Sequence, residues 1–151
     1  MIVLDTNVLS ELMRPAPDPA VVAWLDRQNP GDVATTTITV AEILFGIERL
    51  PAGRRRDTLA VLAADMFDQA FSSRLLPFDA LAASHYARQM AALERRGTPV
   101  AMADGQIAAV CQAHGATLAT RHTKDFEGMD VVLLNPWEQD PTNNDNDRKS
   151  R

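Results

Sequence analysis

Three acidic side chains occupy positions where acids are unexpected. Asp5 ends the apolar run Met1-Ile2-Val3-Leu4 and precedes the turn-prone pair Thr6-Asn7. Glu42 lies in Ile38-Thr39-Val40-Ala41-Glu42-Ile43, and Asp104 lies among small and apolar neighbours in Ala101-Met102-Ala103-Asp104-Gly105-Gln106-Ile107. Each has a structural reading: Asp5 as an N-cap or Asx turn, Thr39 and Glu42 as a capping box, and Asp104 as an acid in the first turn of a helix. Each also has a chemical one. A carboxylate buried without a partner is costly, and clustered carboxylates repel unless a cation neutralises them. Hard divalent ions choose oxygen ligands, so Mg²⁺ or Mn²⁺ is the natural occupant of such a cluster. A site of that kind activates water and neutralises charge developing on a phosphodiester, and a second metal can clamp the leaving oxygen. Spacing alone leaves both readings open.

The elements that must position these acids follow from periodicity. Residues 1–4 read as a buried first strand, followed by two short helices separated by Pro15 and Pro17. The β-branched stretch 33–38 reads as a second strand, with Thr39 capping a helix whose apolar face is Val40, Ile43, Leu44, Ile47 and Leu50. Residues 54–74 read as another helix, and 75–78 as a short strand whose Pro77 favours an edge. Helices over 80–96 and 101–114 end at Gly97 and Gly115, and strands follow at 117–120 and 131–134. Strands alternating with helices imply an α/β fold, a parallel sheet covered by helices on both faces. Ligands of such sheets bind beyond the carboxyl ends of the strands, which puts Asp5 and the Thr120-Arg121-His122 turn on one rim.

The chain has 151 residues, of which 46% are apolar and 23% charged, which suits one soluble domain with a single core. Residues 1–137 make up that domain, and the polar stretch 138–151 reads as a flexible tail. The single cysteine, Cys111, excludes an internal disulfide framework and points to a reducing compartment. No basic leader and no long apolar span are present, so the expected location is the cytoplasm, with no membrane partner. A net charge of −5 has the wrong sign for nucleic-acid binding through a general basic surface. Any such binding must be local, and 13 of the 15 basic residues are arginines, the side chain suited to bidentate phosphate contacts. Aromatic residues make up only 5%, which argues against a stacking platform for bases.

In order along the chain, Met1-Ile2-Val3-Leu4-Asp5-Thr6-Asn7-Val8-Leu9-Ser10-Glu11, Ile38-Thr39-Val40-Ala41-Glu42-Ile43 with Gly46, Ala103-Asp104-Gly105-Gln106-Ile107-Ala108 and Thr120-Arg121-His122-Thr123-Lys124-Asp125-Phe126 resemble the four motifs of the PIN-domain ribonucleases. Within that family the likeness is to VapC-type toxins of toxin–antitoxin pairs. The closing Leu134-Asn135-Pro136-Trp137 is similar to the subgroup of FitB-like and plasmid-stability proteins. The resemblance spans residues 1 to 137. It implies a five-stranded parallel sheet in which Asp5, Glu42 and Asp104 bind Mg²⁺ or Mn²⁺ while water attacks an RNA phosphodiester. It also implies a homodimer and a larger assembly with a cognate VapB-type antitoxin that blocks the site. The chain departs from the pattern at His122, where many relatives carry an acid or Asn. His122 can ligate metal when neutral, contact phosphate when protonated, or simply face solvent. Asp125 can supply an outer-shell carboxylate or simply start a helix before Phe126. Both are candidate supporting members, with the hydroxyls of Thr6 and Thr120 orienting ligands or water and Asn7 organising the turn.

Arg14, Arg54, Arg55, Arg56 and Arg121 are candidate phosphate contacts, against the alternative that such clusters are solvated helix ends. Leu12, Trp24 and Leu25 read chiefly as core, with some of them lining a groove for an antitoxin helix. Two other functions compete with the ribonuclease reading. One is a phosphoryl-transfer or receiver-like protein using Asp5 as phospho-acceptor, against which the absence of a D-x-D pair counts. The other is a catalytically silent module that only binds RNA or antitoxin.

Overall fold

The computed structural model describes residues 1–139; residues 140–151, most of the stretch expected to be a flexible tail, lie outside it. Five short strands, β1 (Ile2–Leu4), β2 (Val33–Thr36), β3 (Leu75–Leu76), β4 (Thr117–Ala119) and β5 (Val132–Leu134), form one sheet in the order β3-β2-β1-β4-β5. Every pairing is parallel, with Ile2 opposite both Val33 and Thr117. The expected parallel sheet is present and β3 is an edge strand as anticipated, but Pro77, expected within a strand over 75–78, lies just past it, the strand ending at Leu76.

The helices are α1 (Thr6–Leu12), α2 (Pro19–Asp26), α3 (Thr37–Glu48), α4 (Arg54–Asp65), α5 (Ala80–Arg95) and α6 (Met102–His114). Alternation along the strands divides the core into two layers, because successive strand residues point to opposite faces. Leu4 and Ala119 join Val8, Leu9, Val21, Trp24, Ile43, Ile47 and Ala63 from α1 to α4. Val3 and Leu118 join Leu93, Ile107, Ala108 and Cys111 from α5 and α6. Gly105 lets α6 lie close to α5: a Cβ there would stand 2.7 Å from Met90 Sδ and 3.1 Å from Tyr86. Gly115 closes α6 in the left-handed region at φ 59°, where glycine carries no Cβ penalty.

Most boundaries shift by a residue or two from the sequence reading, and three differences go further. The second strand stops at Thr36, whose side chain accepts the Thr39 N–H at 3.1 Å, so Thr36 and not Thr39 caps α3. The helix expected over 54–74 ends as one π-helical turn, Met66–Ala70, before the chain turns into β3. Glu138, placed in the tail, belongs instead to a 3₁₀ turn, Pro136–Glu138, capped by Asn135.

Candidate active site

The strand order reverses direction at β1, whose neighbours β2 and β4 lead to opposite edges, and such a switch point opens a crevice at the carboxyl ends of the strands. Asp5 follows β1 and Thr120 follows β4 at that crevice. The two are joined directly: Thr120 Oγ1 donates to Asp5 Oδ2 at 2.8 Å. Asn7 Nδ2 also donates to Asp5 Oδ2, at 3.0 Å, and the Thr6 N–H donates to Asp5 Oδ1 at 2.8 Å. Asp5 is therefore both the N-cap of α1 and the inner wall of the crevice. Burial raises its pKa, and the bonds from Thr120, Thr6 and Asn7 oppose that rise.

The cap at Thr36 changes the reading of Glu42. It sits a turn further into α3 than a capping residue would, is exposed rather than at a buried boundary, and accepts a hydrogen bond at 2.8 Å from Thr6 Oγ1 on α1. The capping-box reading fails because Thr36 already satisfies the Thr39 N–H. Asp104 stands half-buried in the first turn of α6. A helix N-terminus favours a carboxylate there, yet its pKa is pushed up to about 6, first by burial and then by the negative charges of Asp5, Asp125 and Glu42, with His122 opposing. Acids from four separate parts of the chain thus act on one another electrostatically.

They line one cleft of about 740 Å³ together with Thr6, Asn7, Ser10, Glu11, Arg14, Arg55, Arg121, His122 and Trp137. Of the Arg54-Arg55-Arg56 triplet only Arg55 reaches it, since consecutive helical residues point about 100° apart. Arg56 instead pairs with Glu48 at 2.7 Å. His122 hangs its backbone N–H on Thr120 Oγ1 at 3.1 Å, and Asp125 lies in the 3₁₀ turn Thr123–Phe126. Trp24 is core, as its periodicity suggests, with Leu12 and Leu25 packed partly buried against the same cluster.

A model of the PIN domain matches residues 2–131. The chain belongs to the PIN-domain family. It is 45% identical to VapC ribonuclease Y4jK of Sinorhizobium fredii over 91% of this chain and 99% of the relative. It is 42% identical to toxin FitB of Neisseria gonorrhoeae, again over 91% of this chain and 99% of the relative. The crystal structure of FitAcB from Neisseria gonorrhoeae superimposes with a TM-score of 0.82 at 42% identity, covering 92% of this chain and all of that one. DNA-bound VapBC of Salmonella typhimurium superimposes with a TM-score of 0.75 at 26% identity, covering 89% and 97% of the two chains. The family resemblance and the five-stranded fold expected from the sequence both hold.

In this PIN domain the cleft contains side chains that lie within the quoted motifs but were assigned no role from the sequence: Ser10, Glu11 and Trp137. A signal for the first two was present, because Asn7, Ser10, Glu11 and Arg14 follow one another at the spacing of a single helical face. Glu11 is buried and accepts from the Asp18 N–H at 2.9 Å and from Arg14 at 3.1 Å. The Asp18 bond and Arg14 hold its carboxyl below the usual range. Among the described residues no three His, Cys, Asp or Glu side chains are drawn together as a ready metal cluster. The donor set nevertheless fits a hard divalent cation. It is all carboxylate, its negative charges raise the pKa of Asp104, and Mg²⁺ retains several waters and needs only one or two direct carboxylates.

Proposed function

We propose that this PIN domain is the toxin of a type II toxin–antitoxin pair, an Mg²⁺- or Mn²⁺-dependent endoribonuclease restrained by a cognate VapB-type antitoxin. The observation that carries the reading is the convergence of Asp5, Glu42 and Asp104 on one arginine-flanked cleft at the strand switch point. The names of the relatives, VapC ribonuclease and toxin FitB, support it, as does the likeness to VapBC structures, one of them described as a member of the VapBC family of toxin–antitoxin systems. The site works in the cytoplasm, in a homodimer that joins a larger complex with the antitoxin. No helix among the described residues is long and apolar enough to cross a membrane.

Asp5, Glu42 and Asp104 would hold the metal, with His122 and Asp125 at the margin of the site. The bound ion supplies charge neutralisation at the phosphodiester and a more acidic water. The chain's own residues do the rest. Thr120, Thr6 and Asn7 fix the Asp5 carboxylate so that no reorganisation is needed when substrate arrives. The Thr6 hydroxyl ties Glu42 on α3 to α1, setting the width of the cleft. Arg14, Arg55 and Arg121 offset the acids and give phosphate oxygens a place to bind.

The test is cleavage of total cellular RNA by antitoxin-free protein with Mg²⁺, Mn²⁺ or EDTA, comparing wild type with Asp5→Asn and Asp104→Asn after circular dichroism shows both variants folded. Discrete metal-dependent cuts lost in both variants are expected. Cuts that persist in either variant would place the chemistry elsewhere. Absence of cutting by folded, metal-loaded wild type would favour a binding module.

A further inference from the structure

Three arginines line the cleft, and only one of them is stacked. Arg14 pairs with Glu11, while neither Arg55 nor Arg121 makes a salt bridge or a guanidinium hydrogen bond among the described residues. The guanidinium carbon of Arg121 instead lies 5.0 Å from the centroid of the Trp137 ring. Stacking occupies the flat face of a guanidinium and leaves its N–H edge available, so a stacked arginine is an ordered donor fork with nothing yet to bind.

Both ends of the pair are anchored. The Arg121 N–H donates to Asn7 Oδ1 at 3.0 Å, and the same Asn7 amide donates to Asp5 Oδ2 and Thr120 Oγ1. Arg121 is thereby registered to the innermost carboxylate through a single side chain. Trp137 is fixed by its N–H to Asn135 Oδ1 at 3.0 Å and packs against the core cluster containing Trp24. Both side chains line the carboxylate cleft.

We propose that Arg121 and Trp137 form one phosphate clamp, in which Arg121 grips a backbone phosphate of the RNA beside the carboxylates and Trp137 is the positioning residue that holds the guanidinium. The clamp rests on the ribonuclease reading above and adds to it the residue that sets where the RNA backbone lies. The ring already carries the Arg121 guanidinium and packs against the core, which makes base stacking on Trp137 itself the poorer alternative.

The experiment measures cleavage kinetics and, in EDTA, binding of bulk tRNA as a function of salt for wild type, Arg121→Gln, Arg121→Lys, Trp137→Phe and Trp137→Ala. Loss of one charge-assisted contact should raise KM about tenfold in Arg121→Gln with kcat little changed. The slope of log binding constant against log salt should fall by about 0.7, the contribution of one single-strand phosphate. Trp137→Ala should behave like Arg121→Gln although it removes no charge, and Trp137→Phe, which keeps a ring, should recover most of the loss. Arg121→Lys should recover the salt slope but not the KM, because an ammonium has no face to stack. Intrinsic fluorescence gives a readout independent of turnover. Trp24 is only 3% exposed, so a change in emission on adding tRNA reports Trp137; the clamp requires that change to be lost in Arg121→Gln, and its survival there would mean that a base stacks on the ring and would overturn the clamp. If wild type cuts RNA while Arg121→Gln keeps its KM and salt slope, the clamp is wrong and the ribonuclease reading stands. If wild type neither binds nor cuts RNA, both fall. Should Trp137→Ala not fold, the two Arg121 variants and Trp137→Phe still decide the matter.

Discussion

Removing the charge of Asp104 should make the metal-free protein more stable while abolishing its function. In the folded chain the carboxyl is pushed from 3.8 up to about 6 by burial and by Asp5, Asp125 and Glu42. Folding therefore favours the protonated form. The ionised carboxylate destabilises the fold fully above the folded pKa, and this penalty fades as pH falls through about 6 toward 3.8. At 1.36 kcal/mol per unit the rise corresponds to about 3 kcal/mol. Asp104 is only half-buried, so solvent screening reduces this to about 1 kcal/mol. Asp104→Asn should then raise the melting temperature of the EDTA-treated protein by about 2–4 °C near neutral pH. The gain should disappear by about pH 4, where the wild-type carboxyl is also neutral.

The same substitution should remove the response to metal. A ligand present at about ten times its Kd stabilises the state that binds it by about 1.4 kcal/mol, so Mg²⁺ or Mn²⁺ should lift the wild-type melting curve above that of Asp104→Asn and reverse their order. Differential scanning calorimetry over a pH series, with EDTA and with metal, reads both effects. An EDTA-treated Asp104→Asn protein less stable than wild type at neutral pH, or equal metal-induced shifts in the two proteins, would refute the idea that Asp104 carries charge awaiting a cation.

Other expectations follow from single contacts. Thr120 is fully buried and bonded to Asp5, Asn7 and the His122 N–H, so Thr120→Val should lose about 1–3 kcal/mol in urea unfolding and Thr120→Ser should regain most of it. Thr36→Ala should cost about 1 kcal/mol as the loss of a helix cap. Glu42→Gln, which removes no cap, should stay within about 0.5 kcal/mol of wild type while losing RNA cleavage. Burial pushes the Cys111 thiol up to about 12, so a thiol reagent at neutral pH should label it only after denaturation; rapid labelling of native protein would contradict the packing of α6.

Much of the site was legible because the signals were abrupt. An apolar strand running straight into Asp5, and another into Thr120, needs no tertiary information once the carboxyl-edge rule is applied. Gly115 marked the end of α6 for the same local reason. The start of α3 was hidden because Thr35-Thr36-Thr37-Ile38-Thr39 offers several caps in a row, all β-branched. The choice is made from outside the segment: Thr35 Oγ1 donates to the Leu4 carbonyl at 2.8 Å, pinning the end of β2 to β1 and leaving Thr36 as the first residue free to cap. Trp137 is separated from the cleft residues Arg121, His122 and Asp125 by β5, and the return of that strand to the edge beside β4 brings it back to the rim.

The two most informative acids differ in how their charge is met. Asp5 is the more deeply buried, yet a hydroxyl, an amide and a backbone N–H bind its oxygens, so its orientation is set by the fold itself. Asp104 has no hydrogen-bond partner of that kind among the described residues and faces three other acids across the cleft. On the proposed metal-dependent reading, a cation entering the cleft would find one carboxylate already in place and another whose ionisation it would relieve. Asp5 would then contribute chiefly geometry and Asp104 chiefly charge: the interactions that build the crevice are hydrogen bonds around Asp5, while the unmet charge sits on α6, outside that network.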